Sequence, residues 1–171
     1  MVNSWREIER EAENAVRRIF DELGGFSVDA QHSRTLGEFK LDLVTQATSA
    51  QAKFQLAIDA KARITPQTVI SVCERMRQLP TDFIPVVYAP VISPRVAEIV
   101  EQFGVGYIDQ AGNCRLRSAR HGLLIDRRGY KLPARPPKGV ADPFSPKSSR
   151  IVRALLARPD EGWRVRELAE H

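Results

Sequence analysis

Apolar side chains recur at three- and four-residue intervals from Trp5 through Ile8, Ala12, Val16 and Ile19 to Leu23, with Asn3 or Ser4 placed to cap the start. That spacing predicts an amphipathic helix over residues 3–23, stopped by Gly24-Gly25. The opposite face carries Glu7, Glu9, Glu11 and Glu13, the composition of a solvated face. The period then shortens. Phe26–Gln31, Glu38–Gln46 and Lys53–Ala60 read as strands, the second by alternation in Phe39-Lys40-Leu41-Asp42-Leu43-Val44, with Ser33–Gly37 and Thr45–Gln51 as turns. Thr65-Pro66 starts a second helix, with Val69, Ile70, Cys73, Met76 and Leu79 as its stripe until Pro80. Phe83–Ala89 is apolar almost throughout, as in a strand covered on both faces. Ser93-Pro94 repeats the helix start, and Val96, Ile99, Val100 and Phe103 form its stripe up to Gly104. Gly106–Asp109, Cys114–Arg117 and Leu123–Asp126 are short strands, with a turn at Gln110–Asn113. The order predicts an α/β sandwich around a mixed sheet, since a doubly wound fold would alternate from the start.

Residues 131–147 contain five prolines and no periodic pattern, which predicts an extended linker. Ser148–Ala157 and the stretch from Trp163 to Ala169 then read as two short helices separated by Pro159-Asp160-Glu161-Gly162, the opening of a helix-turn-helix. The expected organisation is a main domain over 1–130, the linker, and an incomplete module over 148–171. Because the chain stops inside a helical pattern at Glu170-His171, the sequence reads as a fragment of a longer protein.

Composition narrows the partner class. The chain of 171 residues is 43% hydrophobic and 27% charged, ordinary for a globular protein. No apolar run approaches a membrane span and the first residues are too polar for a signal peptide, so a cytoplasmic location with no membrane partner is expected. The net charge of +5 leans toward a polyanion, and the surplus lies in the C-terminal third, from Arg115 to Arg153. Cys73 and Cys114 stand far apart without zinc-ligand spacing, and His32, His121 and His171 do not cluster, so the cysteines are read as reduced core residues.

The informative anomaly is Asp59-Ala60-Lys61 at the end of the apolar run Leu56-Ala57-Ile58. Residues two apart on a strand share a face, so an acid and an amine project together at the mouth of a sheet. Taken alone, such a tripeptide is most often an ion pair at a solvated strand end. If the strands bearing Asp42 and Asp59 are antiparallel neighbours, however, the two aspartates come to adjacent positions. The Asp-x-x-Gly-Asn turn at 109–113 is rich in functional-looking atoms, but turn geometry alone asks for such residues, and structural work is expected of it.

With Asp42 in Leu41-Asp42-Leu43-Val44, Asp59-Ala60-Lys61 on the next strand, the helix from Pro66 and the strand at 84–89, the chain resembles the PD-(D/E)xK nuclease superfamily over roughly residues 5–125. The resemblance implies a restriction-endonuclease-like three-layer sandwich. It also implies Asp42 and Asp59 as ligands of Mg2+, with Mn2+ as substitute, and Lys61 as the residue that positions the attacking water and steadies charge on the phosphate. Many members add a first-helix carboxylate, for which Glu13 is the match and Glu9 the reserve. Gln67, and with it Arg63, would meet the DNA backbone near the site, and Arg150, Arg153, Arg164 and Arg166 would do so from the C-terminal module. Two departures weaken the match: Leu41 precedes the first acid where proline is usual, and the second acid is Asp59 where Glu is commoner. Nearly the whole layout is also similar to abortive-infection antitoxins of type IV toxin–antitoxin systems. That likeness implies a DNA-binding transcriptional regulator with a homodimer or a protein partner. An endonuclease, a non-catalytic regulator and an interaction module without a nucleic-acid role are thus the alternatives that the sequence leaves open.

Overall fold

The computed structural model describes residues 3–36, 38–131 and Leu156. The fold described here lies in the unit Met1–Lys131. Helix α1 (Asn3–Leu23) leads into strands β1 (Ser27–Leu36), β2 (Phe39–Thr48) and β3 (Lys53–Ala60). Helix α2 (Pro66–Met76), strand β4 (Ile84–Ala89), helix α3 (Pro94–Gln102) and strands β5 (Gly106–Asp109), β6 (Cys114–Ser118) and β7 (Leu123–Arg127) complete it. The seven strands form one sheet in sequential order. Pairing is antiparallel except for β3–β4 and β4–β5, so the sheet is mixed.

Only the two parallel connections require crossovers, and these contain α2 and α3. Successive crossovers of one hand, advancing in one direction across a sheet, place their helices on the same face. Consistent with this, Val69, Cys73, Met76, Val96 and Val100 share a core with Ala57 and Val87. The other face of the sheet packs Leu56, Ile58, Val86 and Tyr88 beneath Ala12, Val16, Ile19 and Phe20 of α1. β3 and β4 therefore bury residues on both faces, which explains their near-continuous apolar runs.

Local expectations hold with shifted limits. Gly24 and Gly25 both take positive φ and end α1. Thr65 caps α2 through its side chain, reciprocated by Thr68, with Pro66 in the first turn, and Ser93 caps α3 by accepting from the Val96 N–H, with Pro94 next in the chain. The segments expected as turns at 33–37 and 45–51 are largely strand, because β1 and β2 pair from Ser27↔Thr48 to Leu36↔Phe39, interrupted only at Ser33 and Asp42. A long hairpin takes up polar residues through ladder hydrogen bonds that a hydrophobicity pattern does not register. Within α2, Val72 is buried and Ile70 exposed, the reverse of the expected stripe. Both cysteines are free and buried, and burial pushes each thiol up to about 11. No described helix is long and apolar enough to cross a membrane. The linker and the helices expected beyond Lys131 lie outside the described residues, apart from Leu156, which is helical.

Candidate functional site

The β2–β3 ladder ends at the pair Leu43↔Ile58. One position further, the register sets Asp42 opposite Asp59, and there the strands part. The Asp42 Oδ2 accepts from the Ala60 N–H at 2.9 Å, so the carboxylate fills the gap where a ladder bond would otherwise stand. On the other side of β2, Asp42 faces Ser33, which lies between the paired residues His32↔Leu43 and Arg34↔Leu41. Ser33 has φ 51, the one non-glycine residue with positive φ among the described residues. Such conformations cost energy and gather where a site over-determines the backbone.

Asp59 shares the face of Ala57, directly beneath α2, and is only 2% exposed. A charge so buried needs partners. Lys61 supplies its ammonium to Asp59 Oδ1, and Arg75 reaches from α2 to Oδ2. The same Lys61 Nζ lies 3.6 Å from Asp42 Oδ2. One ammonium is thus within ion-pairing range of both aspartates, and two acids and two bases make the cluster formally neutral. Both oxygens of the buried Asp59 carboxylate thus stand against a cation. The indole of Trp5 closes the other side, with Lys61 Nζ 5.5 Å from its ring centroid.

The structure brings Asp42, Asp59 and Lys61 together and sets Glu13 apart. Glu13 is engaged by Arg17, at 2.7 and 2.8 Å, and by His32 Nε2 at 2.8 Å. Burial would raise this carboxyl, but Arg17 and His32 outweigh it and hold it below its ordinary value. Glu9, one turn earlier and so nearer Trp5, is 6% exposed and not part of a solvated face. Its Oε2 lies 3.4 Å from His32 Nδ1. Arg63 and Gln67 are exposed on the β3–α2 connection and the first turn of α2, on the side of the chain that leaves Lys61. Arg150, Arg153, Arg164 and Arg166 lie outside the described residues. Sequence reasoning missed Arg75 and misread Trp5 as core. The exposure of Trp5 is 45%, and its place at the polar end of the stripe was the available signal. For Arg75 the signal was slight, a basic residue in the last turn of α2.

The turn after β5 has a structural task. Asp109 accepts from the Asn113 N–H at 2.9 Å and from its Nδ2 at 2.8 Å. Asn113 in turn donates to the Tyr130 carbonyl at 3.0 Å and accepts from the Tyr130 N–H at 2.9 Å. The turn thereby ties down the end of the domain.

As a donor set for a cation, the site offers two carboxylates on facing strands. Among the described residues no group of three His, Cys, Asp or Glu side chains converges on one point. Two hard oxygen donors fit an ion that retains water ligands, as Mg2+ does, and on Asp59 such an ion would take the place of Lys61 or Arg75. No family model, curated protein or solved structure matches the chain.

Proposed function

We propose that the Asp42–Asp59–Lys61 site hydrolyses phosphodiester bonds of DNA with Mg2+, or Mn2+ in its place, on a restriction-endonuclease-like sandwich. The observation that carries this reading is the juxtaposition of Asp42 and Asp59 at the point where the β2–β3 ladder opens, with one ammonium within reach of both. Asp42 and Asp59 would hold the ion, which when bound supplies Lewis acidity and a water of lowered pKa. Lys61 offsets negative charge gathering on the phosphoryl oxygens, and the Trp5 ring restricts its ammonium to the site. Arg63 and Gln67 meet the DNA backbone beside the cut. Arg150, Arg153, Arg164 and Arg166 anchor the duplex through a C-terminal helix-turn-helix. Of the first-helix acids, Glu13 is committed to Arg17 and His32.

A second reading draws on Arg75. With cations against both its oxygens, Asp59 is already neutralised as it would be in a structural ion pair. That favours a non-catalytic regulator of antitoxin type, in which the domain serves dimerisation or partner contact. Incubating supercoiled plasmid with Mg2+ or Mn2+ separates the two. The nuclease reading expects nicking that falls about a hundredfold or more in Asp59→Asn and in Lys61→Ala. Nicking that survives both substitutions would remove the site from consideration. Absence of nicking with either metal, alongside intact salt-sensitive DNA binding, would establish the regulator.

A further inference from the structure

Beside the Asp42–Asp59 site, α1 and β1 enclose an open groove of about 620 Å3, lined among others by Trp5, Arg6, Glu9, Arg10, His32 and Ser33. Its volume falls within the roughly 300–1,000 Å3 of small-molecule sites. Two of its residues belong to both places. Trp5 carries the Lys61 ammonium over its ring and lines the groove, and Ser33 faces Asp42 in the β1–β2 register and lines the groove too. A nucleotide held with its phosphate at Lys61 therefore has a half-exposed indole one step away, and bases stack on indoles.

The polar lining selects among bases. Glu13 has both oxygens committed, to Arg17 and to His32. Glu9 is more than nine-tenths buried, and among the described residues it forms no hydrogen bond; its contact with His32 is an ion pair at 3.4 Å. A buried carboxylate that lines a groove with acceptor capacity unused is suited to two parallel N–H donors. Guanine presents such a pair on its Watson–Crick edge, N1–H beside N2–H2. Adenine and cytosine offer one amine beside a ring-nitrogen acceptor that repels a carboxylate, and thymine flanks its N3–H with two carbonyls. In a duplex the guanine edge is occupied by cytosine, so only an unpaired guanine qualifies. Arg6 and Arg10, both exposed at the groove, supply positive charge for the attached phosphate.

We infer that the α1–β1 groove binds one unpaired guanine nucleotide, the base stacked on Trp5 and its N1–H and N2–H2 donated to Glu9. This rests on the nucleic-acid reading of the neighbouring site but requires no cleavage. The test uses the full chain in EDTA with fluorescein-labelled oligothymidylate carrying a single central dG, dA or dC, followed by anisotropy. The dG oligonucleotide is expected to bind about tenfold tighter than the others, and pairing that guanine in a duplex abolishes the preference. Glu9→Gln brings dG binding down to the all-thymidine level, and Trp5→Ala weakens every oligonucleotide. Because Trp5 is half exposed, that variant keeps the fold if Glu9→Gln does not. Guanosine monophosphate as competitor decides whether the isolated nucleotide or only the strand is captured, each supporting a guanine site. Equal affinity for all the oligonucleotides, a guanine preference that survives Glu9→Gln, or Trp5→Ala binding like the wild type would overturn the proposal. Cleavage without guanine preference sinks this site alone, and guanine preference without cleavage sinks only the nuclease reading.

Discussion

Asp59 holds two cations at once, and the consequences differ for each. Lys61 comes from its own strand, two residues on, whereas Arg75 must reach from α2 with its guanidinium about half exposed. Removing one partner of a fully buried pair costs roughly 3–5 kcal/mol, but solvent screening at the Arg75 end and the remaining Lys61 lower this. Arg75→Ala is expected to destabilise the fold by about 1–2 kcal/mol in urea denaturation. If Asp59 is a metal ligand, the same variant binds Mn2+ more tightly by calorimetry, since a competing cation has gone; unchanged or weaker binding would refute that competition. Glu13 leads to a pH prediction. Its folded-state pKa lies below the ordinary 4.5, so its ionised form is the one the fold favours. The stabilisation is complete above about that value and is lost as pH falls through the lower folded value. Thermal melts of Glu13→Gln and wild type should therefore differ at pH 6 and converge as the pH drops well below 4.5.

At the level of elements, the site depends on where ladders end. β1 and β2 pair to both ends with a break at Ser33 and Asp42, while β3 leaves β2 after Ile58 and continues beside β4, with the Lys61 N–H donating to the Tyr88 carbonyl at 2.9 Å. This divergence opens the space that Asp42 and Lys61 share. At the far side of the sheet the packing is tighter. A Cβ on Gly106 would lie 2.9 Å from the Arg115 carbonyl and 3.0 Å from a Leu116 methyl. The first of these is backbone held in the β5–β6 pairing, so it has little freedom to retreat. Gly106→Ala is expected to cost about 1–3 kcal/mol, read as a lower urea midpoint. A midpoint equal to wild type would show that β5 and β6 can separate without penalty.

For the whole molecule, the division at Lys131 has a direct consequence. The first unit contains both cores and closes with the Asn113–Tyr130 hydrogen bonds. A fragment of residues 1–131 is expected to unfold in one cooperative urea transition. The arginines proposed to anchor DNA, at 150, 153, 164 and 166, are absent from it. Its DNA affinity should therefore be lower and its dependence on salt shallower, since fewer counterions are released. An unchanged salt slope, measured by anisotropy, would show that those arginines do not touch phosphate.

Local pattern was enough to find the elements themselves. A three-and-four spacing with capping residues locates α1, α2 and α3 because helix formation is decided by neighbours a turn apart. The apolar run before Asp59 locates β3 because both of its faces are covered. It also drew attention to Asp59 and Lys61, since charges at the end of a buried strand conflict with their surroundings, whereas Asp42 joined them only through an assumed strand pairing and a family resemblance. The rest depended on contacts between residues distant in the chain. That Glu9 is buried and Glu13 is tied to Arg17 and His32 follows from how α1 is rotated and placed on the sheet, and the helical period alone reads both as solvated. That Trp5 leans over Lys61, that Arg75 reaches Asp59, and that Asp42 and Asp59 meet at an opening ladder are decided by strand register and helix packing. No stretch of sequence carries that information by itself.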